Sequence, residues 1–383
     1  MKPLDQSTIR KQNVRKILDL LTAKSPRTRQ SLAEATGLSL MTVTNLVDQL
    51  KAQSVLELAP VARSCGIKPL SGRKAENISL RGCGHAWLII DLSGWNFRYT
   101  LLGFDLGVLT EKNCTEEGAY IPRLEAFLCS IREEITAILD GRELLGVAVV
   151  APGPYEIASD TVYNQRLPEL NTVKIKALMK RCLGDYDYYV DEDVKFAVRA
   201  FAPLIEQDPC ELLYYLYIGE GVGGAAVHNG NMMRGLNATA GDAGQLTMPG
   251  GPTYESLLSL SAFAASLGCP SEGTKQTLDH LQRYALEQPE PYLHALDQAA
   301  STVADMLYSV LWVLDPNHLI VDCRYALQHR DTFCALISTH LKTRFAASGR
   351  IFPTIIPAPQ GMSSVVRGAV QVLQREWIER ILA

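Results

Sequence analysis

The feature that most constrains the fold is a pair of short helical patterns separated by one glycine. Thr28 is a suitable N-cap for the first, RQSLAEAT (29–36), and Gly37 ends it. Ser39 can cap the second, LMTVTNLVDQLKAQ (40–53). Two such helices joined by a tight turn predict a helix-turn-helix. The apolar positions of the second helix recur at helical spacing: Leu40, Val43, Leu46, Val47 and Leu50.

The flanking segments extend this pattern into a winged helix. Apolar residues between Ile9 and Leu21 follow a helical period. Two β-like runs, SVLELAP (54–60) and AENISL (75–80), enclose a basic, glycine-containing stretch that is typical of a wing. The first 80 residues hold 13 Lys and Arg against 6 Asp and Glu, although the whole chain has a net charge of −4. A basic head on an acidic body indicates a nucleic-acid-binding module joined to a second module.

The second helix and its surroundings supply the expected DNA contacts. Small polar side chains near its N-terminal end would reach base edges in the major groove, and nearby basic residues would contact phosphates. A helical dimerisation domain without a DNA role is the alternative. The candidates on the helix are Ser39, Met41, Thr42, Thr44 and Asn45, and the phosphate contacts are Arg27, Arg29, Lys51 and, near the wing tip, Arg73 and Lys74.

Composition excludes several classes of protein. A length of 383 residues suggests two or three domains. The apolar runs are too short to span a membrane, and the N-terminal MKPLDQSTIRKQ lacks the apolar core of a secretion signal. Nine cysteines without a C-x-x-C pair indicate free thiols in a reducing compartment. We therefore expect a cytoplasmic protein with no membrane association.

From residue 86 onward, strand and helix patterns alternate. Three buried-strand runs are AWLIIDLSG (86–94), LLGVAVVAPGPYE (144–156) and ELLYYLYIGEGVGGAAVHNG (211–230). Each runs into Gly, Pro or Asp, which are residues that favour turns. This alternation predicts an α/β body with ligand chemistry at the strand ends.

The order of these motifs resembles the ROK family (repressors, uncharacterised reading frames and sugar kinases) in its regulator form. No motif is specific alone, but several in one order are. The resemblance implies a two-lobed, actin-like (ribonuclease-H-like) body, with a winged helix at 1–80 and lobes at 81–198 and 199–383. After the winged helix the motifs are Asp91 with Gly94, a Pro-Gly-Pro turn (152–154), the corner at Asp193, G-x-G-x-G-G (219–224) and G-x-N-x-x-A-G-D (235–242).

The resemblance also shows where the kinase pattern fails. Family kinases read D-x-G-G-T at the first phosphate strand, but here Asp91 remains while Trp95 replaces the threonine. Their G-T-G-x-G-G loop has Glu220 in place of threonine, between Gly219 and Gly221. A carboxylate about 4 Å from a phosphate charge costs on the order of 4 kcal/mol at an effective dielectric of ~20. We expect a degenerate nucleotide site that holds no cofactor.

The zinc segment of the family is altered as well. Gln245 stands where the family has a histidine, and MPGGPTYESL (248–257) has no cysteine. Zinc requires several deprotonated Cys or His ligands at fixed spacing. The sequence therefore predicts no bound metal.

The sugar side of the implied cleft keeps several polar residues. The corner from Glu192 to Lys195 stands where family kinases carry their catalytic base. Asp193 is either a vestigial base or a cap for the following helix, and both interpretations stay open. With Lys195, these side chains would suit a sugar acid or phosphosugar. The ligand-binding candidates implied by the resemblance are Arg166, Glu192, Asp193, Asp242, Gln245 and Glu255.

These observations give one leading interpretation and two alternatives. We expect a non-enzymatic ROK-type transcriptional regulator, a repressor, that binds double-stranded operator DNA as a homodimer or higher oligomer. Its body would sense a sugar or sugar-derived ligand. The first alternative is an ATP-dependent sugar kinase that uses Asp193 as its base. The second is a ligand-blind dimeric scaffold that binds DNA.

Overall fold

The structure is a computed structural model that describes residues 6–23, 26–60, 76–81, 84–94, 96–114, 118–164, 167–204, 211–248, 250–349 and 351–381. By internal contacts the chain forms two compact units. The first comprises Met1–Pro152, Ile157–Val190 and Val370–Ala383, and the second comprises Gly153–Glu156 and Asp191–Ala369. The domain ranges inferred from the sequence follow motifs instead of contacts, and they stay a prediction.

The N-terminal segment folds as the sequence predicts. Thr28 accepts a hydrogen bond from the Ser31 N–H at the start of the second helix, and Gly37 ends that helix with a φ of 70°. Ser39 accepts from the Thr42 N–H at the start of the third. The two wing strands pair antiparallel. The elements are α1 (Gln6–Ala23), α2 (Arg29–Thr36), α3 (Leu40–Ala52), β1 (Leu56–Pro60) and β2 (Glu76–Leu80).

The core of this segment follows the predicted stripe with two exceptions. Leu40 is 49% exposed and Ile9 is 42% exposed, so neither belongs to the core. Leu40 is the first residue of α3, and we attribute its exposure to that position at the end of the packed face. The buried members are Val14, Ile17, Leu18 and Leu21 of α1 and Val43, Leu46, Val47 and Leu50 of α3.

A five-stranded mixed sheet forms the centre of the first lobe, in the order β5-β4-β3-β6-β9. Strand β3 pairs antiparallel with β4 and parallel with β6. Its burial on both faces explains the continuous apolar run in the sequence. The strands are β3 (His85–Asp91), β4 (Arg98–Gly103), β5 (Val108–Asn113), β6 (Glu143–Ala151) and β9 (Tyr188–Glu192), and two-residue strands β7 (Tyr155–Glu156) and β8 (Thr161–Val162) lie in the intervening segment.

The second sheet repeats the arrangement of the first, in the order β12-β11-β10-β13-β14. Strand β10 again pairs antiparallel with the next strand and parallel with a later one. Two α/β sheets of one strand order confirm the predicted actin-like, ribonuclease-H-like body. The strands are β10 (Leu212–Ile218), β11 (Val222–His228), β12 (Asn231–Met232), β13 (His318–Cys323) and β14 (Thr354–Pro357).

Helices cover both faces of the second sheet. Tyr214 and Leu216 of β10 join the core built with α10 and α11, whereas Leu213 and Tyr215 join the core built with α6. Within the described ranges, no helix is long and apolar enough to cross a membrane. The helices of the body are α4 (Tyr120–Leu139), α5 (Ile175–Leu183), α6 (Asp193–Arg199), α7 (Tyr254–Leu258), α8 (Leu260–Ser266), α9 (Thr274–Glu287), α10 (Pro289–Val313), α11 (Arg330–Arg344) and α12 (Ser364–Ile381).

Candidate nucleic-acid interface and cleft residues

Several predicted DNA contacts on α3 are exposed to solvent. Met41 is 75% exposed, and Ser39 and Asn45 are exposed as well. Thr42 and Thr44 are half-buried, and their hydroxyl groups bond to Ser39 and to the Leu40 carbonyl at 2.8 Å each. Among the predicted base contacts, Ser39, Met41 and Asn45 are therefore the exposed ones.

Two of the predicted phosphate contacts are engaged inside the domain. Arg29 donates to Glu76 at 2.6 Å and to Asp48 at 2.8 Å, and 15% of its side chain is exposed. It therefore ties α2 to α3 and to the wing strand β2. Arg27 donates from Nε to the Leu20 carbonyl at 3.1 Å. Lys51 is exposed on the last turn of α3, while Arg73 and Lys74 lie outside the described residues.

Two backbone N–H groups of the glycine loop between β10 and β11 are bonded within the protein. The Gly219 N–H donates to the Gly221 carbonyl at 2.9 Å. The Val222 N–H donates to Glu255 at 3.2 Å, so a predicted ligand contact instead supports the loop. A phosphate is held by free backbone N–H groups pointing into a loop. These two groups point elsewhere.

Side chains also fill the space next to this loop. A Cβ atom on Gly219 would overlap the Tyr217 hydroxyl group and would lie 2.9 Å from the Arg324 side chain. Glu220, the residue that departs from the kinase pattern, is exposed and accepts a hydrogen bond from the Thr274 hydroxyl group at the start of α9. A side chain at position 219 would require Tyr217 and Arg324 to move.

The carboxylate at the first phosphate strand is neutralised by its own hairpin. Arg98 donates to Asp91 at 2.8 Å, and the N–H of Ser93 donates to the same carboxylate at 3.0 Å. Asp91 and Arg98 are opposite partners in the β3–β4 register. The hairpin pattern WNFRY could have signalled this pair. Trp95 lies outside the described residues.

A buried ion pair occupies the corner at the start of α6. Lys195 is 1% exposed, and its ammonium group donates to Glu192 and to the Ala238 carbonyl. The Tyr155 N–H also donates to Glu192, at 3.3 Å. Burial raises the pKa of Glu192 above its ordinary value, although the Lys195 ammonium opposes the rise. The positive charge of Lys195 is therefore used within the protein.

Asp193 itself lies at the first position of α6, where its carboxylate accepts the Val194 N–H at 2.7 Å. Glu192 is the N-cap of α6 and makes no side-chain cap bond, so both interpretations of Asp193 stay predictions. Two residues earlier, Asp191 forms a two-bond ion pair with Arg234 at 2.6 and 3.1 Å, and no sequence motif predicted this pair. The pair joins residues 43 apart in sequence, and no local pattern signals such a contact.

Asp242 is a carboxylate whose surroundings shift its pKa. Burial raises its pKa to about 6, with Glu255 adding to the rise and the Gly244 N–H opposing it. One oxygen of Asp242 is buried without a hydrogen-bond partner among the described residues. An orphaned buried oxygen of this kind is suited to a donor from a ligand.

The remaining candidates are dispersed. Gln245 is exposed at the end of a short 3-10 turn, and Arg166 lies outside the described residues. In the part of the chain that the structure describes, no group of three or more His, Cys, Asp or Glu side chains could hold a metal ion.

Two family models match this chain over adjoining segments. A winged helix-turn-helix DNA-binding model matches residues 10–57, and the ROK family model matches residues 88–376. The chain belongs to the ROK family. None of the curated proteins compared with this ROK chain matches it.

Solved structures share the fold of this ROK protein. A ROK family transcriptional regulator described as a homologue of the E. coli MLC protein has a TM-score of 0.67 at 15% identity, covering 98% of this chain and 99% of that one. A Streptococcus pneumoniae ROK protein in complex with sucrose has a TM-score of 0.60 at 16% identity, covering 77% and 98%. A Streptomyces griseus ROK glucokinase with glucose and AMPPNP has 0.59 at 16%, covering 75% and 98%.

Proposed function

We propose that this ROK protein is a DNA-binding transcriptional regulator that acts as a repressor and as a homodimer. One observation carries the proposal. The recognition helix α3, capped by Ser39, exposes Met41, Asn45 and Lys51 along a helix whose opposite face is buried. The basic balance of the first 80 residues supports it, because phosphate contacts provide most of the affinity for DNA.

Three features of the body support a non-enzymatic role. The N–H groups of Gly219 and Val222 are already bonded, and Arg98 neutralises Asp91. The carboxylate of Asp193, the first residue of α6, accepts the Val194 N–H at 2.7 Å. A kinase would instead need open donors for the nucleotide phosphates and a carboxylate free to accept the proton of a sugar hydroxyl group.

We further propose that the body senses a sugar or sugar-derived ligand at Asp242. Its buried, unpaired oxygen would accept a hydrogen bond from a hydroxyl group of the ligand. Glu255 is close enough to Asp242 to contribute to its raised pKa. Related folds bind sucrose and glucose in the structures named above. Because the Lys195 ammonium is paired with Glu192, the acidic group of a sugar acid or phosphosugar would have to bind to Arg166.

In the test, the purified chain first selects genomic DNA fragments by binding. The affinity of the protein for the selected fragments is then measured. Asn45→Ala should weaken specific binding by about 1–3 kcal/mol, because an amide on a recognition helix typically reads one base pair. Gln282→Ala removes an exposed amide on α9 and should change nothing. A chain that retains no fragment over competitor DNA would contradict the proposal.

A separate assay addresses the kinase alternative. ADP release is measured across common sugars for the protein and for Asp193→Asn. We expect no turnover above background from either. Sugar-dependent turnover that Asp193→Asn abolishes would establish the enzyme and would remove the support for a purely regulatory body.

A further inference from the structure

The first unit contains a cavity of about 530 Å³ beside the C-terminal end of the recognition helix. Gln53, which ends α3, lines it together with His85 at the start of β3 and Glu143 at the start of β6. Trp377 and Arg380 of α12 form another wall. Its volume lies within the range of small-molecule sites. The proposed sugar contacts Asp242 and Glu255 do not line it.

His85 is the polar group that sets this cavity apart. The residue is 9% exposed, and both of its ring nitrogens are buried without a hydrogen-bond partner among the described residues. A Glu143 carboxylate oxygen lies 3.5 Å from Nδ1. Buried polar atoms nearly always have partners, so an orphaned imidazole in a cavity wall indicates a missing one.

The charge of the walls indicates the class of that partner. The cavity is lined by three carboxylates, those of Glu143, Asp185 and Asp187, against the single guanidinium of Arg380. Arg380 already donates to Asp187 and to the Leu145 carbonyl, and the Lys180 ammonium donates to Asp185 at 2.8 Å. Glu143, whose side chain is 70% exposed, is therefore the carboxylate of the lining that is left for a ligand. In the described part of the chain, His85 is the one ion-pair partner of Glu143. A cation is therefore the complementary ligand, and the apolar indole of Trp377 in the lining favours one with an organic frame.

The position of the cavity connects it to the DNA-binding segment. Lys11 of α1 donates to Glu379 of α12, so α1 is bonded to the helix that forms one wall. At the Glu143 wall, the Gly84 carbonyl accepts the Glu143 N–H at 3.0 Å. Gly84 in turn lies next to Ser54, because a Cβ built on Gly84 would be 3.6 Å from the Ser54 carbonyl oxygen. A ligand bound to Glu143 would therefore lie close to the segment that follows α3.

We propose that this cavity binds a small organic cation carrying primary amines and that occupancy changes the affinity of the winged helix for DNA. The amine would donate to Glu143 and to an imidazole nitrogen of His85 after a small movement of that ring. The binding site stands on its own, whereas the effect on DNA rests on the proposed regulatory function.

The test is calorimetric titration of the full chain with 1,4-diaminobutane, with 1,4-butanediol as a neutral isostere and MgCl₂ as an inorganic cation of equal charge. We expect the diamine to bind saturably and the two control compounds not to bind. Glu143→Gln should weaken it about tenfold, the effect of losing one charged contact. Glu133→Gln removes an exposed carboxylate from α4 and should leave it unchanged. His85→Gln is the second variant, and it should also weaken diamine binding about tenfold.

Each result is decisive. No saturable heat from the diamine, an equal response to MgCl₂, or wild-type affinity in both folded variants would overturn the proposal. DNA affinity is measured separately on a selected genomic fragment, where the diamine should change it about fivefold or more, the lower end of allosteric coupling. A chain that binds DNA but no diamine refutes the cavity site alone. A chain that binds diamine but no DNA refutes the regulatory function alone.

Discussion

The ammonium group of Lys195 is buried against the carboxylate of Glu192, three residues earlier at the start of α6. The same ammonium donates to the Ala238 carbonyl, so it spans from α6 to the segment that ends in Asp242. A buried charge needs a partner, because an unpaired one loses its hydration without compensation. The corner that carries a catalytic base in family kinases is therefore held together here by an internal ion pair.

This pair should be strongly coupled. Lys195→Met leaves the buried Glu192 carboxylate without its counter-charge, with the Tyr155 N–H still donating to it, and should lower the free energy of unfolding by about 3–5 kcal/mol. The double variant with Glu192→Gln should lose much less than the sum of the two single losses. Urea denaturation measures all four proteins. As a control, Lys112→Met breaks a more exposed pair with Glu134 and should cost less than about 1 kcal/mol. Additive losses would contradict a buried ion pair.

Asp242 should make the protein less stable as the pH rises. Its pKa is raised by burial to about 6, so between about pH 4 and 6 the folded state holds a proton that the unfolded state has released. The contribution of Asp242 to stability is therefore most favourable below that window and falls through it by up to about 3 kcal/mol. Urea midpoints across this range, compared between the protein and Asp242→Asn, isolate the contribution.

The variant should be the more stable protein above about pH 6, because it carries no charge to bury. Its slope with pH should shrink without vanishing, since burial also raises the pKa of Glu192. Asp279→Asn, an exposed carboxylate on α9, serves as the matched control and should follow the unmodified protein. Identical pH profiles for all three proteins would show that Asp242 ionises normally.

Restoring the kinase residue at position 220 should not restore nucleotide binding. Glu220→Thr removes one negative charge, but the Gly219 and Val222 N–H groups stay bonded to Gly221 and Glu255. We expect no calorimetric binding of Mg·ATP up to about 1 mM, where the binding free energy would be only about 4 kcal/mol. Tight binding by this single variant would mean that the carboxylate alone excluded ATP.

Arg29 and Lys51 should separate stability from DNA affinity. Arg29→Ala removes two ion pairs that join α2, α3 and β2, and should lower the free energy of unfolding by about 1–2 kcal/mol. Lys51→Ala should leave the melting temperature unchanged while reducing the dependence of log K on log salt by about 1. Thermal melts and salt titrations of a selected DNA fragment measure both. Equal melting temperatures for the two variants would show that the Arg29 contacts contribute little to stability.

The sequence alone determined the features that depend on near neighbours. The caps at Thr28 and Ser39 act over three residues, and the apolar stripe of α3 repeats within one helix, so α2 and α3 could be located closely. The strand-ending glycines gave the loop at 219–224, and the motif order gave the family. Leu40 was misassigned to the core because helical spacing shows which face it shares but not where the packed neighbours stop.

Only the tertiary structure decided what the charged side chains do. Arg29 meets Glu76 across 47 residues, Lys195 meets Ala238 across 43, and Val222 meets Glu255 across 33. Such contacts are fixed when distant segments pack, and an ion pair leaves no periodicity in the sequence because it needs one residue from each segment. Residue types identified which groups were present, while burial and distant partners determined which of them remain available to a ligand or to DNA.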